Sequence, residues 1–216
     1  MITINKYGIS QLKIWSGIGI IVIFHLVGLI GIGIFENASI IQLSWFNLVL
    51  SFSVAFFFFD TLNSHLIIPL SLVFLLGLMS EVLGVNTGII YGVYSYGEPL
   101  GFKLFGVPIT IGIMWLSLSI GTKNSLDRYI TKGKYGKVIL AAFLMVLFDL
   151  LMEPIATYLG YWEWTDGEIP FLNYVTWFIV ALIAQLILIN VNTKNKVFEL
   201  LFIIQALFFI GLNIML

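Results

Sequence analysis

Mostly apolar stretches long enough to cross a bilayer recur along nearly the whole chain, and they constrain the fold more than any other feature. A helical span needs about 20 such residues to cross roughly 30 Å of hydrocarbon. The runs place spans near residues 12–35, 43–60, 65–83, 106–122, 138–158, 171–190 and 197–216. The second and fourth are the least apolar of the seven. With 60% of residues hydrophobic and only 10% charged, no stretch is left for a soluble domain, and residues 1–216 read as one integral membrane domain. The expected fold is all-α: a polytopic transmembrane bundle of about seven helices. The first span is long and lacks a small-residue cleavage site, so it is expected to stay as a membrane helix.

Basic residues set the orientation. With seven spans, Lys6, Lys13, Lys123, Arg128, Lys132, Lys134, Lys137, Lys194 and Lys196 fall on one side, and Lys103 alone falls on the other. A nine-to-one bias predicts a cytoplasmic N-terminus in a multi-pass protein of a bacterial or archaeal cytoplasmic membrane. Glu36, Glu98, Glu163, Asp166 and Glu168 lie on the opposite face.

An internal echo follows. Residues 81–115 and 153–177 each begin with a glutamate near the outer end of a helix, pass through an aromatic segment (YGVYSY, GYWEW) and re-enter through a proline. Seven residues after that proline stands a tryptophan in both: Pro108 to Trp115, and Pro170 to Trp177. The spacing suggests a parallel repeat of two helix-loop-helix units, an arrangement that often places a site between the halves.

Within the second unit, FDLLMEPIATYLGYWEW carries Asp149 and Glu153 one helical turn apart, on one face and about 6 Å apart along the axis. Carboxylates at membrane depth are costly and usually face a bundle interior where they have a function. Two of them close together in a poor dielectric resist double ionisation, so one is expected to keep a proton at neutral pH, as a general acid requires. Pro154, beside the pair, reads either as a kink that frees the Leu150 carbonyl or as the end of the helix. Glu81, in GLMSEVLG, is a third acid at a depth close to that of Glu153. Both also read as interfacial glutamates. Tyr91, Tyr94, Tyr96, Trp162 and Trp164 are ordinary interface anchors by type, yet they follow the acids directly, and their ring faces would suit a carbocation or an ammonium ion. Asn173 sits where a helix cap would, and could instead orient a water.

Several chemistries are disfavoured. Without cysteine there is no disulfide, thiolate nucleophile or iron–sulfur ligation. His25 and His65 have no metal-ligand spacing and read as buried or capping residues, so no metal is expected. No glycine-rich nucleotide loop follows a strand, because the sequence predicts no strands. The last span has no lysine for a retinal Schiff base. Gly17, Gly19, Gly28, Gly31 and Gly33 read as small residues that let helices approach the first span closely.

The blocks TGIIYGVYSYGEPLGFKLFGVPITIGIMW and FDLLMEPIATYLGYWEWTDGEIPFLNYVTWF resemble the membrane carotenoid biosynthesis family of carotenoid 1',2'-hydratases, which includes the bisanhydrobacterioruberin hydratases. The shared pattern falls on Thr87, Gly88, Gly92, Tyr94, Tyr96, Leu100, Gly101, Gly106, Val107, Pro108 and Trp115, then on Asp149, Leu150, Pro154, Gly160, Trp162, Trp164, Pro170, Asn173 and Trp177. It covers roughly residues 78–182 and departs at Glu153, where aspartate is expected before the proline. The resemblance implies a cofactor-independent hydro-lyase that adds water to the terminal double bond of an acyclic carotenoid such as lycopene or γ-carotene. Asp149 is the expected proton donor, with Glu153 or Glu81 as the base. Tyr91, Tyr94, Tyr96, Trp162, Trp164, Asn173, Trp177 and Thr87 would bind substrate. The expected partners are a carotenoid, water and membrane lipid, at a site in the outer half of the membrane. A membrane lycopene cyclase is the nearest rival, and a proton-coupled transporter is the alternative from another class.

Overall fold

The computed structural model describes residues 6–130 and 133–216. Lys132 therefore lies outside the described residues. Helices α1 (Lys6–Gly33), α2 (Ala38–Gln42), α3 (Ser44–Phe57), α4 (Ser64–Thr87), α5 (Ile109–Tyr129), α6 (Lys134–Tyr158), α7 (Phe171–Leu188) and α8 (Lys196–Met215) form a bundle. The protein is a multi-pass membrane protein. Five helices, α1, α4, α6, α7 and α8, are each long and apolar enough to cross a membrane. The other two expected spans fall short for different reasons. Helix α3 has 14 residues, which rise about 21 Å, and the five-residue α2 precedes it across a break at Leu43. Helix α5 is long, but it carries Ser117, Ser119, Thr122 and Asn124, all buried. It runs through the middle of the bundle, where neighbouring helices shield those groups from lipid: Ser119 and Thr122 bond back to α5 carbonyls, and Asn124 donates to Thr193 O and Asn195 O.

Two layers position the site. Helices α4, α5, α6 and α7 form an inner group in which α4 packs on α5 and α7 while α6 packs on α7 and α5. Helices α1, α3 and α8 flank it. Small residues bring α1 close to its neighbours: a Cβ built on Gly28 would lie 3.2 Å from the Phe208 ring, and one on Gly31 would overlap Ile40. Gly17 and Gly33 are likewise filled against Phe58 and Met215, whereas Gly19 faces open space.

The structure corrects the sequence reading in two places. Short strands are present: β1 (Tyr94–Tyr96) pairs antiparallel with β4 (Trp162–Trp164), and β2 (Lys103–Leu104) with β3 (Val107–Pro108). Segments of two or three residues are too short for a period-two pattern to register. The basic connection also shrinks, because α5 continues to Tyr129 and α6 begins at Lys134. Three of its charges are held by ion pairs. Lys123 and Lys137 both reach Asp127, and Arg128 donates two hydrogen bonds of 3.1 Å to Glu199.

Candidate active site

Glutamate, aromatic pair, proline and tryptophan recur in both helix-loop-helix units, and the structure folds them around one centre. In the first unit, Glu81 near the end of α4 accepts hydrogen bonds from Tyr94 Oη (2.5 Å) and Tyr96 Oη (2.8 Å) on Oε2, and from Trp115 Nε1 (3.1 Å) on Oε1. In the second, Glu153 on α6 accepts from Trp162 Nε1 (2.9 Å) and Trp164 Nε1 (3.1 Å) on Oε2, and from Asn173 Nδ2 (3.1 Å) on Oε1. Each glutamate thus holds its own strand by two aromatic donors two residues apart, the spacing that puts alternate side chains on one face.

Strand pairing then joins the two units. The register is Tyr94 to Trp164, Ser95 to Glu163 and Tyr96 to Trp162. Flanking bonds extend it evenly, from Thr165 N to Val93 O (3.0 Å) and from Gly97 N to Tyr161 O (2.8 Å). Ring contacts follow the register, with centroids 4.9 Å apart for Tyr94 and Trp164 and 5.8 Å for Tyr96 and Trp162. Below the strands, Trp115 stacks on Trp177 at 4.1 Å and 23°. Both tryptophans lie seven residues beyond the prolines, Pro108 and Pro170, that cap α5 and α7. The echo in the sequence is a pseudo-twofold arrangement about the Ser95–Glu163 pair.

Asp149 sits one turn below Glu153 on the same face of α6 and is fully buried. Asn173 bridges the two, giving one N–H of Nδ2 to Asp149 Oδ2 (2.8 Å) and the other to Glu153 Oε1 (3.1 Å). Its place three residues after Pro170, the helix cap, aims the side chain inward, and it bridges the acids instead of capping the helix. Asp149 Oδ1 is buried with no hydrogen-bond partner, and among the described residues it is the only side-chain oxygen or nitrogen in that state. Helix α6 runs through Pro154 to Tyr158, which rules out the proline as the helix end.

No Lys, Arg or His makes an ion pair with these three acids among the described residues; the ion pairs lie elsewhere. Aromatic O–H and N–H groups and one amide compensate the carboxylates instead. A carboxylate that accepts several such bonds can stay ionised in a dry site, whereas one with a bare oxygen has a place for a proton.

Of the other expected contacts, Tyr91 is buried beside Tyr94, and its hydroxyl bonds Ser80 Oγ at 3.0 Å. Thr87 does not join the cluster: it is exposed, and its hydroxyl donates to Leu83 O within α4. Trp115 was visible in the echo, but nothing in the sequence marked it as a ligand of Glu81.

Residues 39–215 match the model of the family described as carotenoid biosynthesis protein. The chain belongs to that family. Among curated relatives of this carotenoid biosynthesis protein family, the bisanhydrobacterioruberin hydratase of Haloarcula japonica is 28% identical over 114 residues. The match covers 50% of this chain and 39% of the relative, so the chain spans well under half the length of that protein. No solved structure matches.

Proposed function

We propose that this protein hydrates the end group of an acyclic carotenoid at the Asp149–Glu153 pair. Its family and the hydratase relative support a carotenoid substrate. The observation that carries the chemistry is the bare Oδ1 of Asp149 beside a Glu153 carboxylate held by three donors.

Asp149 is the acid. Its proton goes to the less substituted carbon of the terminal double bond, the π pair forms the new C–H bond, and a tertiary cation develops on the neighbouring carbon. The faces of Trp162, Trp164, Tyr94 and Tyr96 and the Glu153 carboxylate stabilise that charge in a site shielded from solvent. Water adds through its oxygen, and the proton it releases passes to Glu153. One proton transfer between two carboxyls a helical turn apart then restores the pair. The sum is H and OH across the double bond, giving a tertiary alcohol, with no electrons gained or lost and hence no redox partner required. Glu81, saturated by Tyr94, Tyr96 and Trp115, holds the aromatic wall rather than exchanging protons. The protein would work in a bacterial or archaeal cytoplasmic membrane with its basic end inside.

The test is expression in bacteria that accumulate lycopene, with mass spectrometry of the pigments beside an Asp149→Asn variant. A product one water heavier, absent with the variant, supports the reading. A product of unchanged mass and altered absorption would replace it with cyclisation, and unaltered lycopene and γ-carotene from inserted protein would overturn it.

A further inference from the structure

A cavity of about 210 Å3 lies between α1, α3, α6 and α8, on the side of α6 next to the carboxylates. Its outer rim is formed by Phe24, Val27 and Phe46, which are 38%, 53% and 41% exposed on the lipid-facing surface. Its inner wall includes Met114, Met152 and Trp162, all buried. Trp162 is the link to the acids, since the indole that lines the cavity donates its N–H to Glu153. Met152 lies on the turn of α6 between Asp149 and Glu153, and methionine side chains repack easily. The cavity is below the roughly 300–1,000 Å3 of pockets that enclose whole drug-sized ligands, so it suits one end of a long chain whose remainder lies in lipid.

The lining is mostly apolar; Ser44 and Tyr161 bond each other at 2.6 Å, and three further polar side chains keep free hydrogen-bonding atoms. Gln205 is 7% exposed, and its amide, not fully enclosed but open to the cavity, makes no hydrogen bond among the described residues. His25, 6% exposed, engages Ile21 O through Nδ1 at 2.8 Å; with the proton on that nitrogen, Nε2 is left as an acceptor. Asn47 accepts a 3.3 Å bond from Ser51 on Oδ1 and leaves Nδ2 unpaired among the described residues. The amide N–H groups of Gln205 and Asn47 as donors, with His25 Nε2 and the Gln205 carbonyl as acceptors, line a mostly apolar cavity and match the two-sided hydrogen bonding of a hydroxyl group.

We propose that this cavity is the lateral route and binding site for the polyene end group between lipid and the carboxylates, with His25, Asn47 and Gln205 hydrogen-bonding the hydroxyl that the chain carries after hydration. The proposal rests on the hydratase reading for the identity of the chain. It makes His25, which the sequence presented as a structural histidine, a ligand-binding residue.

Two probes test it on the full chain in detergent: a linear C40 polyene hydrocarbon and the same chain with one terminal tertiary hydroxyl, measured as polyene absorbance that elutes with the protein. Asn47→Phe fills the cavity, and Val27→Trp blocks its lipid-facing rim without touching the interior. Each should lower binding of both probes by about tenfold or more. Gln205→Leu keeps the volume and removes the amide; it should cost the hydroxylated probe about five- to tenfold, the value of one hydrogen bond, and leave the hydrocarbon unchanged. Wild-type binding of both probes by folded Asn47→Phe and Val27→Trp would overturn the route. Equal affinity of the wild type for the two probes would overturn the polar subsite. The two readings separate cleanly. Binding that the blocked variants lose, in a wild type that adds no water, sinks the hydratase and keeps the cavity; hydration at the wild-type rate in those variants sinks the cavity and keeps the hydratase.

Discussion

The two helix-loop-helix halves share a frame and differ at the positions of the proposed acid pair and its amide bridge. Aligned on Glu81 and Glu153, the residue four positions earlier is Gly77 in the first half and Asp149 in the second. Aligned on the prolines, the residue three positions later is Ile111 in the first and Asn173 in the second. At Gly77 the space is taken by Trp115, for a Cβ there would lie 2.4 Å from Trp115 Cγ. The first half therefore spends its inner turn on ring packing, and the second on a bridged pair of acids. Two halves of matching geometry thus hold one acid pair, with the other half as its frame.

The comparison predicts the largest effect at Asp149. Asp149→Asn should lower hydration by about 100- to 10,000-fold, the range for a general acid, with the melting temperature in detergent little changed. Retained turnover in that variant would mean the second half is not the catalytic one. The glutamates should then part company. In pigment assays Glu153→Gln should lose about 100-fold or more as a base is removed. Glu81→Gln should lower activity far less and show its defect in stability, about 1–3 kcal/mol, because the new amide N–H faces aromatic donors. Matching kinetic losses at both positions would erase the distinction between site and frame.

Smaller effects sharpen it. Gly77→Ala should destabilise the bundle by about 1–3 kcal/mol through overpacking against Trp115, read as a lower melting temperature. An unaffected melt would show that the first half has room for a side chain after all. Tyr96→Phe removes one of three donors on Glu81 and should cost about 1 kcal/mol, with hydration lowered at most a few-fold. A loss as large as that of Asp149→Asn would place Glu81 in the reaction.

Much of this was legible in the residues. Length and apolarity were enough for the membrane bundle, and the two spans with the weakest signal are the short α3 and the internal α5. The turn-spaced Asp149 and Glu153 were legible because helical periodicity puts them on one face whatever surrounds them. The paired Pro–Trp spacing pointed to the repeat. Thr87 did not follow: it matched the resemblance by position, yet its place at the exposed end of α4 turns its hydroxyl to its own helix. The role of Trp115 was illegible because its partner Glu81, 34 positions away in sequence, comes from another helix.

What the sequence by itself determined is the membrane-spanning helical class, the turn that aligns two acids and the doubled glutamate–aromatic–proline–tryptophan frame, all set by local chain geometry and solvent. Only the tertiary structure decided that β1 pairs with β4, that Asn173 bridges Asp149 and Glu153, that one oxygen of Asp149 is left bare, and that a lipid-facing cavity ends at Trp162. These depend on which helix faces which, and that is settled by packing between residues far apart in the chain, where no periodicity reaches.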